Sequence, residues 1–191
     1  MDFEFGSYFG TWTDFSGATA GFQQKQNMKH LEVIKGRIFT INTLKVWLSQ
    51  QHLLSKSIVF TNGCFDILHQ GHVDYLSKAA DMGDLLVVGV NSDDSVKRLE
   101  KGAARPIQQE QSRAMLIAAL HFVSAVIIFD EDTPLSLIEM VQPNVLVKGA
   151  DWQLKDIVGY DFVTSRGGQV KTIEYLPGFS TSAIESKIKN A

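Results

Sequence analysis

Short apolar runs alternate with helical patterns along most of the chain, and this order constrains the fold more than any other feature. Helix-starting residues and apolar positions three and four apart mark the segments between the runs. Continuous apolar strands separated by helices are typical of a parallel sheet covered on both faces. The sequence therefore predicts an α/β fold with a five-stranded parallel sheet flanked by helices. The predicted strands are residues 57–60, 85–90, 123–129, 145–147 and 170–175.

Length and composition favour one main domain and exclude several classes of protein. A chain of 191 residues with 45% hydrophobic content can bury one core. The formal net charge of −3 gives no support for a nucleic-acid coat or a membrane-surface protein. No apolar run approaches the roughly 20 residues that span a bilayer. The single cysteine, Cys64, excludes an internal disulfide framework, so a cytoplasmic location is expected.

The first 27 residues differ in kind from the rest. They contain glycine, serine, threonine and aromatic residues without a clear period, and Lys25 is the first basic residue. A signal peptide would need a basic start and a continuous apolar centre. Residues 1–27 are therefore expected to be a poorly ordered N-terminal extension or leader. Met28 is then the expected start of the main domain, at residues 28–191, and a chain that begins there should fold.

The segment from Thr61 to His72 combines a glycine turn with two histidines at the opening of a helix. Helix N-termini present free N–H groups and the positive end of a dipole, which suits anions. His69 and His72 are three residues apart, so both face the same side and can donate hydrogen bonds to phosphate oxygens. Gly63 allows a tight turn and close approach to a ligand, and Gly71 leaves room for a phosphate between the histidines. An accidental or metal-binding pair is the alternative, and the flanking strand and helix favour phosphate chemistry.

Further polar clusters follow the other predicted strands. In parallel α/β sheets, ligands bind beyond the carboxyl ends of the strands, near the topological switch point. Hydroxyl groups that open the last helix, predicted at residues 181–189, would form a second phosphate cradle. Ordinary helix capping and a solvated charged face are the simpler explanations of each cluster taken alone. The clusters are Asn91 and Asp93; Lys97, Lys101 and Arg105; Lys148, Gly149, Asp151 and Trp152; and Ser180, Thr181 and Ser182.

Longer stretches of sequence resemble a known family. The segment GCFDILHQGH matches the G-x-F-D-x-x-H-x-G-H signature of the cytidylyltransferase-like nucleotidyltransferases. The stretches TNGCFDILHQGHVDYL, VGVNSDDSVKRL, EDTPLSLIEMVQPNVLVKGADW and PGFSTSAI are similar to the bacterial D-glycero-β-D-manno-heptose 1-phosphate adenylyltransferases, over about residues 40–190. The resemblance implies a Rossmann-like domain that joins ATP and the heptose phosphate. The products would be ADP-heptose, for lipopolysaccharide core biosynthesis, and pyrophosphate.

The resemblance also implies roles for particular residues. It makes His69, His72, Lys101, Ser180 and Thr181 the catalytic set. Nucleotide-binding roles are implied for Asn62, Gly63, Phe65, Gly71, Arg113, Lys148, Gly149, Asp151, Trp152 and Ser182. Substrate-binding roles are implied for Asp66, Asn91, Asp93, Lys97 and Arg105. The sequence departs from the family pattern at Ala150, where the extra methyl would crowd the backbone, and around residues 100–104, which leaves Lys97 and Lys101 as alternatives for the acceptor phosphate.

The same resemblance predicts partners and leaves alternatives open. Mg²⁺ is expected with ATP as substrate, held mainly by the ATP phosphates and not by a protein metal site. Family members often occur fused to a sugar kinase; 191 residues leave no room for one, so a separate heptose kinase is expected. A homodimer is one assembly that the family allows. The alternatives are a cytidylyltransferase for glycerol 3-phosphate or a related phosphoalcohol, and a nucleotide-binding module without activity.

Overall fold

The computed structural model describes residues 29–99 and 105–190. The chain divides into two compact units, Met1–Val33 and Ile34–Ala191, and the second contains the sheet. The expectations for residues 1–27 and for Lys101 lie outside the described residues. The division at residue 28 therefore stays a prediction.

The sheet has six parallel strands in the order β1-β4-β3-β2-β5-β6. The parallel α/β prediction is confirmed, with one strand more than expected. The additional strand, β1, has only two residues and pairs with β4 at the edge, too short to give an apolar run. The strands are β1 (Ile38–Phe39), β2 (Ile58–Gly63), β3 (Leu85–Asn91), β4 (Ala125–Phe129), β5 (Val145–Gly149) and β6 (Gln169–Ile173).

Eight α-helices lie in the described part of the chain. The helix predicted at residues 181–189 is confirmed. Two short helices were not predicted: Lys29–Lys35, which buries no side chain, and Tyr160–Ser165, which buries only Val163. A short 3₁₀ turn, Leu154–Asp156, precedes the second of these. The helices are α1 (Lys29–Lys35), α2 (Ile41–Leu53), α3 (Gln70–Ala80), α4 (Asp93–Arg98), α5 (Glu110–Ala118), α6 (Leu135–Val141), α7 (Tyr160–Ser165) and α8 (Thr181–Lys189). None of them is long and apolar enough to cross a membrane.

Helices cover both faces of the sheet, because successive strand residues point to opposite sides. In β2, Val59 joins the core under α3 and α5, whereas Ile58 and Phe60 join the core under α2, α6 and α7. All three of these strand side chains are fully buried. Because both faces of β2 are covered, its buried residues are apolar. The polar residues of the candidate site therefore lie at the ends of the strands.

The switch point lies at β2, which pairs with β3 on one side and β5 on the other. The β2–β3 pairing continues to Gly63, opposite Val90, so residues 61–63 extend the strand that was predicted to end at Phe60. The β2–β5 pairing ends at Phe60 opposite Leu146. Beyond that pair the two strands diverge, and their carboxyl ends open the space that holds the candidate site.

Candidate active site

A cavity of about 1100 Å³ lies beyond the carboxyl ends of β2 and β5. Its walls come mainly from the loops after β2, β5 and β6 and from the starts of α3 and α8, with contributions from the end of β3, from Arg105 and from residues 132–134. Most predicted site residues line it, although they come from segments far apart in sequence. These are Asn62, Gly63, Phe65, Asp66, His69, Gly71, His72, Asn91, Arg105, Lys148, Gly149, Asp151, Trp152, Ser180, Thr181 and Ser182.

The two histidines form a stacked pair at the start of α3. Their ring centroids are 3.8 Å apart and the planes differ by 18°. His69 is the N-cap residue, and no side chain caps the helix start. The Nδ1 atoms of both rings are buried and have no hydrogen-bond partner within the protein. Two imidazoles at an uncapped helix N-terminus leave donors for an anion.

Burial keeps these imidazoles neutral near pH 7. It lowers the pKa of His72 to about 4, with a further contribution from repulsion by His69, while a hydrogen bond to the backbone of Ile67 acts in the opposite direction. Burial also lowers the pKa of His69. An anion against the rings would favour the protonated form and reverse this shift. The pair can therefore gain a proton when a phosphate binds.

Both glycines of the motif are explained by ring contacts. A β-carbon on Gly71 would lie 3.1 Å from the His69 ring and from the β-carbon of Phe179, so a side chain here would crowd both. Gly71 lines the cavity, and the room for a phosphate beside it stays a prediction. A β-carbon on Gly63 would lie 3.1 Å from the Phe65 ring. The left-handed turn conformation occurs at Phe65, with φ of 48°, and not at Gly63 as the turn prediction implied. The Phe65 ring in turn packs edge-on against His72, at 5.3 Å between centroids.

The start of α8 brings three hydroxyl groups to the same cavity. Ser180 is the N-cap residue, and its Oγ accepts a hydrogen bond from the Ala183 N–H at 3.1 Å. Capping uses a lone pair of the oxygen, so the Ser180 O–H can still donate. Thr181 and Ser182 line the same cavity. The capping interpretation of this motif and the ligand interpretation are therefore compatible.

The end of β5 forms a third part of the wall. The Lys148 ammonium donates a hydrogen bond to Asn62 Oδ1 across the gap between β5 and β2. The Tyr175 hydroxyl donates to Asp151 Oδ1 at 3.1 Å. Ala150 is exposed and does not line the cavity, so the crowding expected from its methyl group does not occur. The close approach is at Gly149 instead, against Tyr175.

Asp66 and Arg105 line the cavity, and their contacts also fix residues 105–108 against the loop after β2. The Asp66 carboxylate is 2% exposed and accepts hydrogen bonds from the N–H groups of Ile107 and Gln108 at 2.8 and 2.9 Å. Its Oδ2 also pairs with Arg105 at 3.3 Å. The geometry therefore gives Asp66 a structural role, and its contact with a sugar phosphate stays a prediction.

Three predicted site residues lie away from the cavity. Arg113 is fully buried, and its guanidinium donates to the carbonyls of Cys64 and Gln108 and to Asp93 Oδ1. Asp93 is thereby engaged beneath the loop after β2. Lys97 pairs with Asp94 on the surface, at 2.8 Å. Direct contact of these side chains with a ligand has no geometric support; Arg113 and Asp93 instead shape the floor of the site.

Sequence reasoning missed several aromatic side chains of the cavity. Tyr75, Tyr175 and Phe179 line it. Tyr75 donates or accepts a hydrogen bond with Thr61 Oγ1 at 2.8 Å, and burial raises its pKa. Burial, followed by the charge of Asp151, raises the pKa of Tyr175 to about 12. The sequence predicts a strand that ends at Tyr175, whereas β6 ends at Ile173. Among the three, only Phe179 has a local signal, because it lies between a glycine and three hydroxyl residues.

Comparisons with known proteins agree with this geometry. Residues 60–186 match the family model described as cytidylyltransferase-like. A lipopolysaccharide core biosynthesis protein from Thermoplasma volcanium shares 30% sequence identity and a TM-score of 0.53, over 63% of this chain and 97% of that one. The chain belongs to the cytidylyltransferase-like family of nucleotidyltransferases. A pantoate-β-alanine ligase from Francisella tularensis, 15% identical with a TM-score of 0.53 over 80% of this chain and 76% of that one, supports the fold alone.

Two curated relatives are more similar in sequence. The bifunctional protein HldE of Campylobacter concisus is 49% identical over 177 residues, which are 91% of this chain and 36% of that relative. The protein of the same name from Campylobacter jejuni subsp. jejuni serotype O:2 is 49% identical over 172 residues, 90% of this chain and 35% of the relative. The chain thus spans about a third of the length of the curated relatives it matches.

Proposed function

We propose that the chain is an adenylyltransferase that joins ATP and D-glycero-β-D-manno-heptose 1-phosphate into ADP-heptose and pyrophosphate, for lipopolysaccharide core biosynthesis in the cytoplasm. One observation carries the proposal: the stacked His69–His72 pair and the Ser180–Ser182 turn face one cavity at the switch point of the sheet. The resemblance to heptose 1-phosphate adenylyltransferases and the relatives named HldE support the choice of nucleotide and sugar.

The reaction is a direct displacement at phosphorus. An oxygen of the sugar phosphate attacks the α-phosphorus of ATP, forming the new P–O bond. The bond between the α-phosphorus and the oxygen bridging to the β-phosphorus breaks, and pyrophosphate leaves with that electron pair. Because the attacking oxygen is already anionic, no general base is needed. The protein's task is to position the reactants and neutralise charge.

The histidine pair supplies donors where charge develops. Their pKa values are low without an anion, so each ring begins neutral and the triphosphate favours proton uptake by the pair. A protonated imidazole donates stronger hydrogen bonds to phosphate oxygens than a neutral one. We assign His69 and His72 to the α–β region of the triphosphate, where the bond breaks.

Residues on the other walls of the cavity would bind the remaining groups of the two substrates. The hydroxyls of Ser180, Thr181 and Ser182 would hold the departing pyrophosphate. Lys148, with Asn62, would contact the nucleotide phosphate, while the backbone at Gly149 and the side chains of Asp151 and Trp152 would border the ribose and base. Arg105 also lines the cavity, and we assign it to the acceptor side. Lys101 keeps its proposed role as the acceptor-phosphate lysine.

We propose that Mg²⁺ enters the site bound to the phosphates of ATP. The described residues contain no group of three or more histidine, cysteine or acidic side chains that could hold a metal ion. The carboxylate predicted to bind the acceptor, Asp66, already accepts hydrogen bonds from two backbone N–H groups and pairs with Arg105. The phosphate oxygens would therefore provide the ligands, and the ion would neutralise part of the charge of the triphosphate.

The supply of the acceptor implies a further enzyme. A sugar 1-phosphate arises by phosphoryl transfer to the sugar, so we propose that a heptose kinase acts before this protein. The relatives named bifunctional are consistent with a second activity close by.

A pyrophosphate-release assay tests the proposal. ATP and CTP are each combined with heptose 1-phosphate, other sugar 1-phosphates, glycerol 3-phosphate and a phosphoalcohol. We expect release with ATP and heptose 1-phosphate, and its loss in a His69→Ala, His72→Ala double variant. Release with CTP and glycerol 3-phosphate would make the chain a cytidylyltransferase instead. No release with any pair, together with retained ATP binding, would make it a binding module.

A further inference from the structure

Arg105 connects two parts of the cavity wall through a pair of carboxylates. Its Nη1 lies 3.3 Å from Asp66 Oδ2, and its Nη2 lies 2.7 Å from Glu185 Oε1. The Arg105 side chain is 13% exposed, the Asp66 side chain 2% and the Glu185 side chain 26%. Asp66 belongs to the loop after β2, and Glu185 to the second turn of α8. The guanidinium therefore ties the loop that leads to the histidines to the helix that presents the hydroxyl groups.

The Asp66 end of this connection is rigid. Besides Arg105, the Asp66 carboxylate accepts hydrogen bonds from the N–H groups of Ile107 and Gln108. Breaking them would leave a buried charge without partners, which is costly. Residues 105–108 are thus fixed on the loop after β2, and Arg105 begins from a defined position.

The position of α8 depends on the Arg105–Glu185 ion pair far more than the position of residues 105–108 depends on Arg105. None of the described residues of α8 is buried, and Ile188 is 69% exposed. Helices normally gain their place by burying an apolar face, so few apolar contacts fix this one. Glu185 lies four residues after Thr181, and residues four apart share a helix face. Holding Glu185 against Arg105 therefore also orients Thr181 toward the cavity.

On this basis we propose that Glu185 is a positioning residue, which acts through Arg105 to set the distance between the hydroxyl turn of α8 and the histidine pair. The inference rests on the proposed function, because it assigns the hydroxyl turn to the pyrophosphate end of ATP. Without the carboxylate, α8 keeps its Ser180 cap but loses its side-chain link to the loop after β2. The hydroxyl groups of Ser180, Thr181 and Ser182 would then be less well ordered for binding pyrophosphate.

Ligand binding by the full chain tests this role without relying on turnover. Isothermal titration with inorganic pyrophosphate and with AMP compares wild type with Glu185→Ala. We expect the Kd for pyrophosphate to rise about three- to tenfold, as for loss of a partly exposed ion pair, and the Kd for AMP to change less than about twofold. Glu185→Gln keeps a neutral hydrogen bond to Arg105, so its Kd for pyrophosphate should lie between those of wild type and Glu185→Ala. This variant remains usable if the alanine variant is poorly folded.

Lys187→Ala is the matched control, because it removes a charge from the same helix without touching Arg105. It should leave both dissociation constants near wild type. Unchanged or tighter pyrophosphate binding by Glu185→Ala would overturn the inference, and so would equal weakening of AMP and pyrophosphate, which marks general destabilisation. If wild type binds neither ligand, the proposed function fails first. Normal binding by wild type with no effect of the Glu185 variants removes the inference alone.

Discussion

The Tyr175 hydroxyl lies directly over the backbone of Gly149, so that a β-carbon on residue 149 would clash with it. The same hydroxyl donates to Asp151 Oδ1 at 3.1 Å, and the Tyr175 ring lies 6.3 Å from the Tyr75 ring. Because Gly149 ends β5, this contact fixes the wall of the cavity next to Lys148. The side chain that closes this wall comes from the segment after β6, which also leads to the hydroxyl turn.

Gly149→Ala should therefore act through Tyr175. The added methyl must displace the hydroxyl end of Tyr175 and break its hydrogen bond to Asp151, and Tyr175 is 56% exposed, so the ring can swing outward. We expect a stability loss of about 1 kcal/mol and weaker ATP binding. Urea unfolding and ATP titration measure both. In a Tyr175→Ala background, the nearest remaining contact of the new β-carbon is Asp151 Oδ1 at 2.8 Å, the end of an exposed side chain, so adding Gly149→Ala should cost less than in wild type. An equal cost in both backgrounds would contradict the contact with Tyr175.

The elements that sequence could predict are those whose signal is local. Four strands, β2 to β5, gave apolar runs because both faces of the sheet are covered, as at Ile58, Val59 and Phe60. The edge strand β6 mixes polar and apolar residues and has one buried residue, Ile173. The two-residue β1 and the six-residue α7 are held by their partners and not by a pattern of their own. β2 continues through residues 61–63 because β3 pairs with them. Asn62 and Gly63 are residue types typical of turns, so the sequence predicted that the strand ends at Phe60.

The sequence predicted which strand ends meet at the site. It did not predict which side chains there point into the cavity and which are buried in the core. His69, Lys148 and Ser180 reach one cavity because parallel strands deliver their loops to one edge. Arginine is mostly exposed in proteins, so nothing in the sequence marks Arg113 as fully buried. Its partners, the Cys64 carbonyl and Asp93, are 49 and 20 residues away, and only the folded chain brings them together.

Removal of either imidazole should lower turnover far more than it lowers stability. We expect His69→Ala and His72→Ala each to reduce kcat by roughly 10²–10³, the typical cost of losing one transition-state donor. Steady-state pyrophosphate release under saturating ATP measures this. His121→Ala, which removes an exposed histidine elsewhere, should retain full activity. Near-normal turnover of both site variants would show that the pair has no part in the chemistry.

The buried His72 should make stability depend on pH. Its pKa is about 4 in the folded protein and near 6.5 in the unfolded chain, so the unfolded state binds the proton more readily. The contribution of the neutral ring is fully present above pH 6.5 and is lost as the pH falls toward 4. The shift sets an upper limit of about 3 kcal/mol.

Urea unfolding of wild type and His72→Gln at several pH values between 4 and 7 measures this difference. The free energy of unfolding should fall more steeply with decreasing pH in wild type than in the variant, because glutamine does not titrate. Parallel pH profiles of the two proteins would mean that the folded-state pKa of His72 is not lowered.

Arg113→Met should destabilise the protein strongly, since it breaks a buried charged network. It removes the guanidinium that donates to the Cys64 and Gln108 carbonyls and pairs with Asp93. Loss of one partner of a buried ion pair typically costs about 3–5 kcal/mol. Urea unfolding measures the change, with Arg98→Met as control. Arg98 pairs with Asp132 at the surface, at a side-chain exposure of 45% and 75%, where such pairs contribute at most about 1 kcal/mol. If Arg113→Met instead unfolded like wild type and lost only ATP affinity, Arg113 would be a ligand contact and not the support beneath the loop after β2.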